Sequence, residues 1–184
     1  MENFRYESRL NNGQHLTLRT PVIEDAEGLM AQMKILDSET KFLAREPDEF
    51  DLTLEQEQAF IKRSLENENS FFIIGEVADE IVANCSVGII SSRKRYCHRA
   101  ALGIAVKKAY WHKGIGKKMM QACIDWCKEK GVEQLELDVV TENERAIALY
   151  QSLGFQIYGT KKHALKYSDQ TYADEYYMIL MLEG

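Results

Sequence analysis

A chain of 184 residues, 45% hydrophobic and 28% charged, has the size and balance of one soluble globular domain, 1–184, able to bury a core. Its net charge of -6 argues against nucleic acid as a partner, because phosphate contacts need a broad basic face. No window approaches the ~18 consecutive apolar residues that cross a bilayer. The start, MENFRYESRLNN, has no basic-then-apolar leader pattern, so no membrane partner and a cytoplasmic location are expected.

Leu16 to Thr20 alternates as a strand does, and Pro21 stops it. Val22, Ala26, Leu29, Met30 and Met33 follow at helical spacing to about Leu36. Residues 38–53 have no clear period and hold one of the two prolines. Thr53 with Gln56 forms a capping box for a helix ending near Asn67. Phe71 to Val77 and Ile81 to Ser91 read as a hairpin turning at Ala78-Asp79-Glu80. A basic turn, Arg93 to Arg99, leads into an apolar strand through Leu102, Ile104 and Val106. A helix is predicted over 114–130, with Gly131 as its stop. Leu135, Leu137 and Val139 then alternate with Glu136 and Asp138, a strand with one apolar face. Thr141 and Glu144 are expected to cap the next helix, and Phe155 to His163 and Tyr172 to Leu182 close the chain as strands.

A helical crossover between strands 98–106 and 134–140 implies one parallel pair. The other neighbours are joined closely enough to be antiparallel. The expected fold class is therefore α/β of the α+β kind: a mixed, mostly antiparallel central sheet with one parallel pair, flanked by helices. The four cysteines have no zinc spacing with the four histidines, so no metal is expected. Cys123 and Cys127 lie one helical turn apart on an apolar face, and the cysteines are read as buried thiols.

The most informative stretch is the strand-to-helix corner at Gly114-Ile115-Gly116. A glycine turn feeding a helix leaves unpaired N–H groups that, with the helix dipole, form an anion site suited to a phosphate or diphosphate. Lys107, Lys108, Lys113, Lys117 and Lys118 crowd the same corner of an acidic chain. No Walker loop is present, and Met119 stands where a dinucleotide fingerprint needs its third glycine.

Two segments carry a family resemblance. Trp111-His112-Lys113-Gly114-Ile115-Gly116 is similar to the Gln/Arg-x-x-Gly-x-Gly/Ala loop of the GNAT N-acetyltransferase family, with Trp111 in the first position. Asn143-x-x-Ala146-x-x-Leu149-Tyr150-x-x-x-Gly154-Phe155 resembles that family's next conserved segment. The resemblance implies a GNAT-like acyl-CoA N-acyltransferase fold, splayed between two central strands to admit acetyl-CoA as cosubstrate. By that resemblance the cofactor-binding groups are Ile104, Ala105 and Val106, the loop residues His112, Lys113, Gly114, Ile115, Gly116 and Lys117, and Asn143. A branched side chain at Gly116 would then be expected to meet the diphosphate.

Transfer of an acetyl group from a thioester to an amine needs a neutral amine, a stabilised oxyanion and a protonated leaving thiolate. Tyr150, two helical turns after Asn143 and so on nearly the same face, is the candidate acid, because the resemblance implies a tyrosine here close to the cofactor sulfur. Glu136 is taken as the base. Asp138 shares its face, and His98, Asp174 and Glu175 are alternatives. The family often carries Glu before Leu-Gly-Ile, where this chain has Ala101. Acidic residues in 46–51, with Asp169, Asp174 and Glu175, point to a small polar or cationic primary amine as acceptor, and a peptide N-terminus is the alternative. A different acyl group, a non-catalytic CoA-binding domain and a homodimer are also compatible with the sequence.

Overall fold

A computed structural model describes residues 4–182. The elements run β1 (Arg5–Arg9), β2 (His15–Arg19), α1 (Ala26–Glu39), α2 (Leu54–Glu66), β3 (Ser70–Val77) and β4 (Glu80–Ile89). They continue β5 (Arg99–Val106), α3 (Ile115–Glu129), β6 (Gln134–Val140), α4 (Glu144–Ser152), β7 (Gln156–Lys166) and β8 (Tyr172–Met181). The strands form one eight-stranded sheet in the order β1-β2-β3-β4-β5-β6-β8-β7. Only β5 and β6 pair in parallel, across the α3 crossover; every other neighbouring pair is antiparallel. This is the mixed sheet expected from the sequence.

The local signals explain most boundaries. Thr53 accepts from the Gln56 amide and Gln56 returns a bond to the Thr53 amide, so the capping box starts α2. Ala78 and Asp79 adopt φ of 51° and 62°, the two left-handed residues of a tight hairpin turn, while Glu80 already belongs to β4. Gly131, at φ +70°, ends α3: its amide bonds Lys128 O, and Val132 N reaches back to Cys127 O. The start of α4 departs from expectation. Asn143, not Thr141, is its cap, accepting from the Ala146 amide. β1 carries no apolar alternation in RYESR and escapes sequence reading; it is an edge strand held by its register with β2.

Strand alternation assigns the two faces. Leu135, Leu137 and Val139 of β6 join the larger core with α3 and α4, which also contains Met119, Met120, Trp126 and Met178. On the opposite face α1 packs on β4 and α2 on β3, around Leu29, Ile61, Phe72 and Ile74. Cross-strand partners share a face, so Asp138 with Tyr177 and Glu136 with Ile179 also lie on this second face.

Candidate active site

β5 and β6 pair only at Arg99–Gln134, Ala100–Leu135 and Ala101–Glu136. Beyond that point β5 continues to Val106 and β6 to Val140 without meeting. The parting opens a cleft of about 620 Å³, lined by β5 from Leu102 to Val106, β6 from Leu137 to Val140, the 110–117 corner and α4. Main-chain groups on the facing edges of the two strands are left without a ladder partner. Such groups are costly when buried unless a ligand pairs with them.

The corner at one end of the cleft is held open by backbone geometry. His112 and Gly114 both adopt left-handed conformations, φ 60° and 82°, and no side chain caps α3. The first intrahelical bond is from Lys118 N to Gly114 O, so the amides of Ile115, Gly116 and Lys117 face outward unpaired. A Cβ on Gly114 would meet nothing within 4 Å, whereas one on Gly116 would lie 3.1 Å from Leu149 Cδ2. Gly116 thus lies where α3 approaches α4, and a side chain there would also press on the end of Leu149.

The lysines divide. Lys117 lines the cleft, as do His112, Gly114, Ile115 and Gly116, but Lys113 does not; its Nζ sits 4.6 Å from the Tyr110 ring. Lys107 turns inward, buried, to bond Glu80 Oε1 at 2.6 Å. Lys118 lies over Tyr6. A cation that the sequence reading passed over takes a place in the cleft instead. The Arg145 guanidinium stacks 3.7 Å from the Trp111 ring, and the Trp111 indole N–H is pinned to Val106 O. Its position inside the Asn143–Ala146 segment was the only sequence signal for it.

Ile104, Ala105, Val106, Asn143 and Tyr150 all line the cleft. Tyr150 is 8% exposed, and among the described residues its hydroxyl has no hydrogen-bond partner. Burial pushes its pKa up to about 12, so it holds its proton across any physiological range. The candidate bases separate clearly. Glu136 belongs to the last β5–β6 pair, opposite Ala101 and outside the cleft lining, and both its oxygens are taken by Arg99, at 2.5 and 2.8 Å. Asp138, two residues on and exposed, lines the cleft, as does Glu175. Glu175 faces Lys161 at 3.6 Å, and Asp174 is bound by Lys162 and the His163 amide. His98 sits at the start of β5, outside the cleft lining, its carbonyl accepting from Glu133 and Gln134.

Cys85, Cys123 and Cys127 are buried, but Cys97 is exposed in the turn before β5, against the expectation for all four. The Cys85 contact, then burial, holds the Cys123 thiol well above its ordinary range, and burial lifts Cys127 to about 12. Neither is a ready nucleophile. Among the described residues no three His, Cys, Asp or Glu side chains gather as a metal site. No helix there is long and apolar enough to cross a membrane. The acidic segment 46–51 docks on the β7–β8 hairpin, where Glu46 accepts from the Ser168 amide and the Tyr167 hydroxyl bonds Lys41 O.

Residues 31–155 match the Acetyltransferase (GNAT) family. The L-amino acid N-acetyltransferase AaaT of Escherichia coli K12 is 32% identical over 108 residues, 58% of this chain. That match spans 65% of the relative's own length, just under two thirds. A GNAT-family acetyltransferase of Streptococcus pneumoniae superposes with a TM-score of 0.85 at 27% identity, covering 91% of this chain and 99% of that one. The acetyltransferase YncA of Salmonella typhimurium, solved with acetyl-CoA, has a TM-score of 0.79 at 17% identity, covering 91% and 94%.

Proposed function

Because the chain belongs to the GNAT acetyltransferase family, we propose that it transfers the acetyl group of acetyl-CoA to the primary amine of an amino-acid-type acceptor, by direct attack. The observation that carries this reading is the parting of β5 and β6 after three residue pairs, with Tyr150 lining the gap from α4 and Asp138 standing on the opposite sheet face. An amine arriving from the sheet face that carries Asp138 would meet its carboxylate. A thiolate leaving toward α4 would meet Tyr150.

The fit to acetyl-CoA rests on the chain's own groups. Three free amides at the α3 N-terminus, with Lys117, suit the diphosphate. The free main-chain edge of β5 at Ile104 to Val106, apart from the Val106 carbonyl that Trp111 holds, suits the amides of pantetheine. Acetyl-CoA supplies the activated acyl group as a thioester. Asp138 would remove the ammonium proton, directly or through water, before the C–N bond forms. Strand amides along β5 would stabilise the carbonyl oxygen as it gains charge. Tyr150 would give its proton to sulfur as the C–S bond breaks.

The demand on the base depends on the acceptor. A lysine-like amine is neutral in only about 1 part in 2,500 at pH 7, whereas the α-amine of a peptide chain, with pKa near 7.8, is neutral in about one part in seven. An exposed carboxylate is adequate for the second and poor for the first. AaaT, named for L-amino acids, likewise takes acceptors that carry an α-amine. Of the acidic residues expected to favour a cationic body, Asp174 and Glu175 face Lys162 and Lys161, while Glu46 accepts from the Ser168 amide and keeps its charge. The test is release of CoA from acetyl-CoA in the presence of amino acids, amino-acid amides, polyamines and short peptides. Turnover with α-amines is expected. Tight CoA binding with no turnover on any amine would make the chain a binding domain instead.

A further inference from the structure

Gln32 of α1 is fully buried, and among the described residues its amide nitrogen has no partner. Leaving a buried donor unpaired costs its full desolvation, which a leucine at the same place would avoid. Its oxygen explains its presence: Gln32 Oε1 accepts from Asn84 Nδ2 at 2.7 Å. Asn84 is a cleft residue on β4, in register with Ala105 of β5. Its side chain lies on the same sheet face as Asp138, across the strand that the thioester would follow. Because Gln32 holds the donor end of the Asn84 amide, the acceptor end, Oδ1, is the end left free for the cleft. No described residue donates to it, and it is not among the buried atoms lacking a partner.

We propose that Asn84 Oδ1 binds a hydrogen-bond donor adjacent to the reacting amine, and that Gln32 is a positioning residue fixing which end of the Asn84 amide faces the acceptor. The inference rests on the acetyltransfer reading above and names its acceptor class: an α-amine followed by an amide N–H, as in an amino-acid amide or a peptide N-terminus. β4 and β5 stand about 4.8 Å apart, so Asn84, one strand over from the β5 edge, is placed to meet the group that follows the α-amine. A free amino acid carries a carboxylate at that point. It offers no donor, and it would face both Asn84 Oδ1 and the Asp138 carboxylate.

The experiment compares L-amino-acid amides with the matching methyl esters and free amino acids as acceptors. In the unaltered protein, kcat/KM for the amide should exceed that for the ester by at least tenfold, with the difference in KM. Asn84→Ala should bring the two together without altering the Kd for CoA. Asn84→Asp should keep the preference, since its oxygen remains and the Gln32 nitrogen can turn to donate to it. Gln32→Met should lower the preference while Asn84 stays intact, which a purely structural role would not do. Thermal melts and CoA binding identify any variant that has lost its fold; Asn84→Asp then carries the test. Equal use of amide and ester by the unaltered protein would overturn the proposal, as would a preference for free amino acids, which would mean the Asn84 amide sits the other way round. Absence of transfer to every amine would instead remove the acetyltransferase reading itself.

Discussion

The two ends of the cleft are built differently. The end at α3 uses main chain: left-handed turns at His112 and Gly114, and the unpaired amides of Ile115, Gly116 and Lys117. The opposite end uses side chains from four separate elements, Asn84 on β4, Asp138 on β6, Tyr150 on α4 and Glu175 on β8. A main-chain site tolerates any side chain that leaves the backbone free to turn, so it depends on a few glycines. A side-chain site depends on how far each strand runs and which neighbour it meets. Substitutions at the first end should therefore act on cofactor affinity, and at the second on turnover and acceptor choice.

The largest effect is expected at the second end. Tyr150→Phe and Asp138→Asn should each lower kcat by about 10²–10⁴, the usual span for a general acid or base, with CoA affinity nearly unchanged by calorimetry. Glu136→Gln is the internal control. Its carboxylate is spent on Arg99, so kcat should stay within about threefold. Loss of turnover in Glu136→Gln with little in Asp138→Asn would reverse the assignment of the base.

At the main-chain end the two glycines should fail for different reasons. Gly114→Ala has open space around its new Cβ but imposes the left-handed penalty of about 1–2 kcal/mol. It should weaken CoA about tenfold, 1.4 kcal/mol, while the acceptor KM holds. Gly116→Val pushes against Leu149 and should lower stability by about 1–3 kcal/mol in denaturant titration. Unchanged CoA binding in Gly114→Ala would remove the main-chain account of that end.

The smallest effect is a change that should not occur. Burial raises the Tyr150 pKa from 10 to about 12, which favours the protonated form. An acid with a raised pKa loses function only as pH climbs toward that value. At saturating substrates kcat should show no alkaline fall attributable to Tyr150 up to about pH 10. A falling limb centred near pH 8 or 9, abolished by Tyr150→Phe, would show the hydroxyl to be far more acidic than its surroundings dictate.

The amino-acid order alone carried the family loop, the segment from Asn143 to Phe155, the single parallel pair and most element boundaries. These depend on local chemistry: a glycine that permits a turn, a Thr53–Gln56 cap, an apolar face at period 2 or 3.6. Alternation in β6 also placed Glu136 and Asp138 on one face, but could not say which reaches the cleft. That was decided by where β5 and β6 part, just after Ala101 and Glu136, which leaves Glu136 with Arg99 and Asp138 at the gap. The same holds for Arg145 on Trp111, for the inward turn of Lys107, for the Gln32–Asn84 pair, 52 residues apart in the chain, and for β1, whose polar sequence forms a strand only because β2 offers it an edge. Local spacing fixes the periodicity of a segment, whereas the partner of each side chain is fixed by contacts between segments distant in sequence, and only packing brings those together.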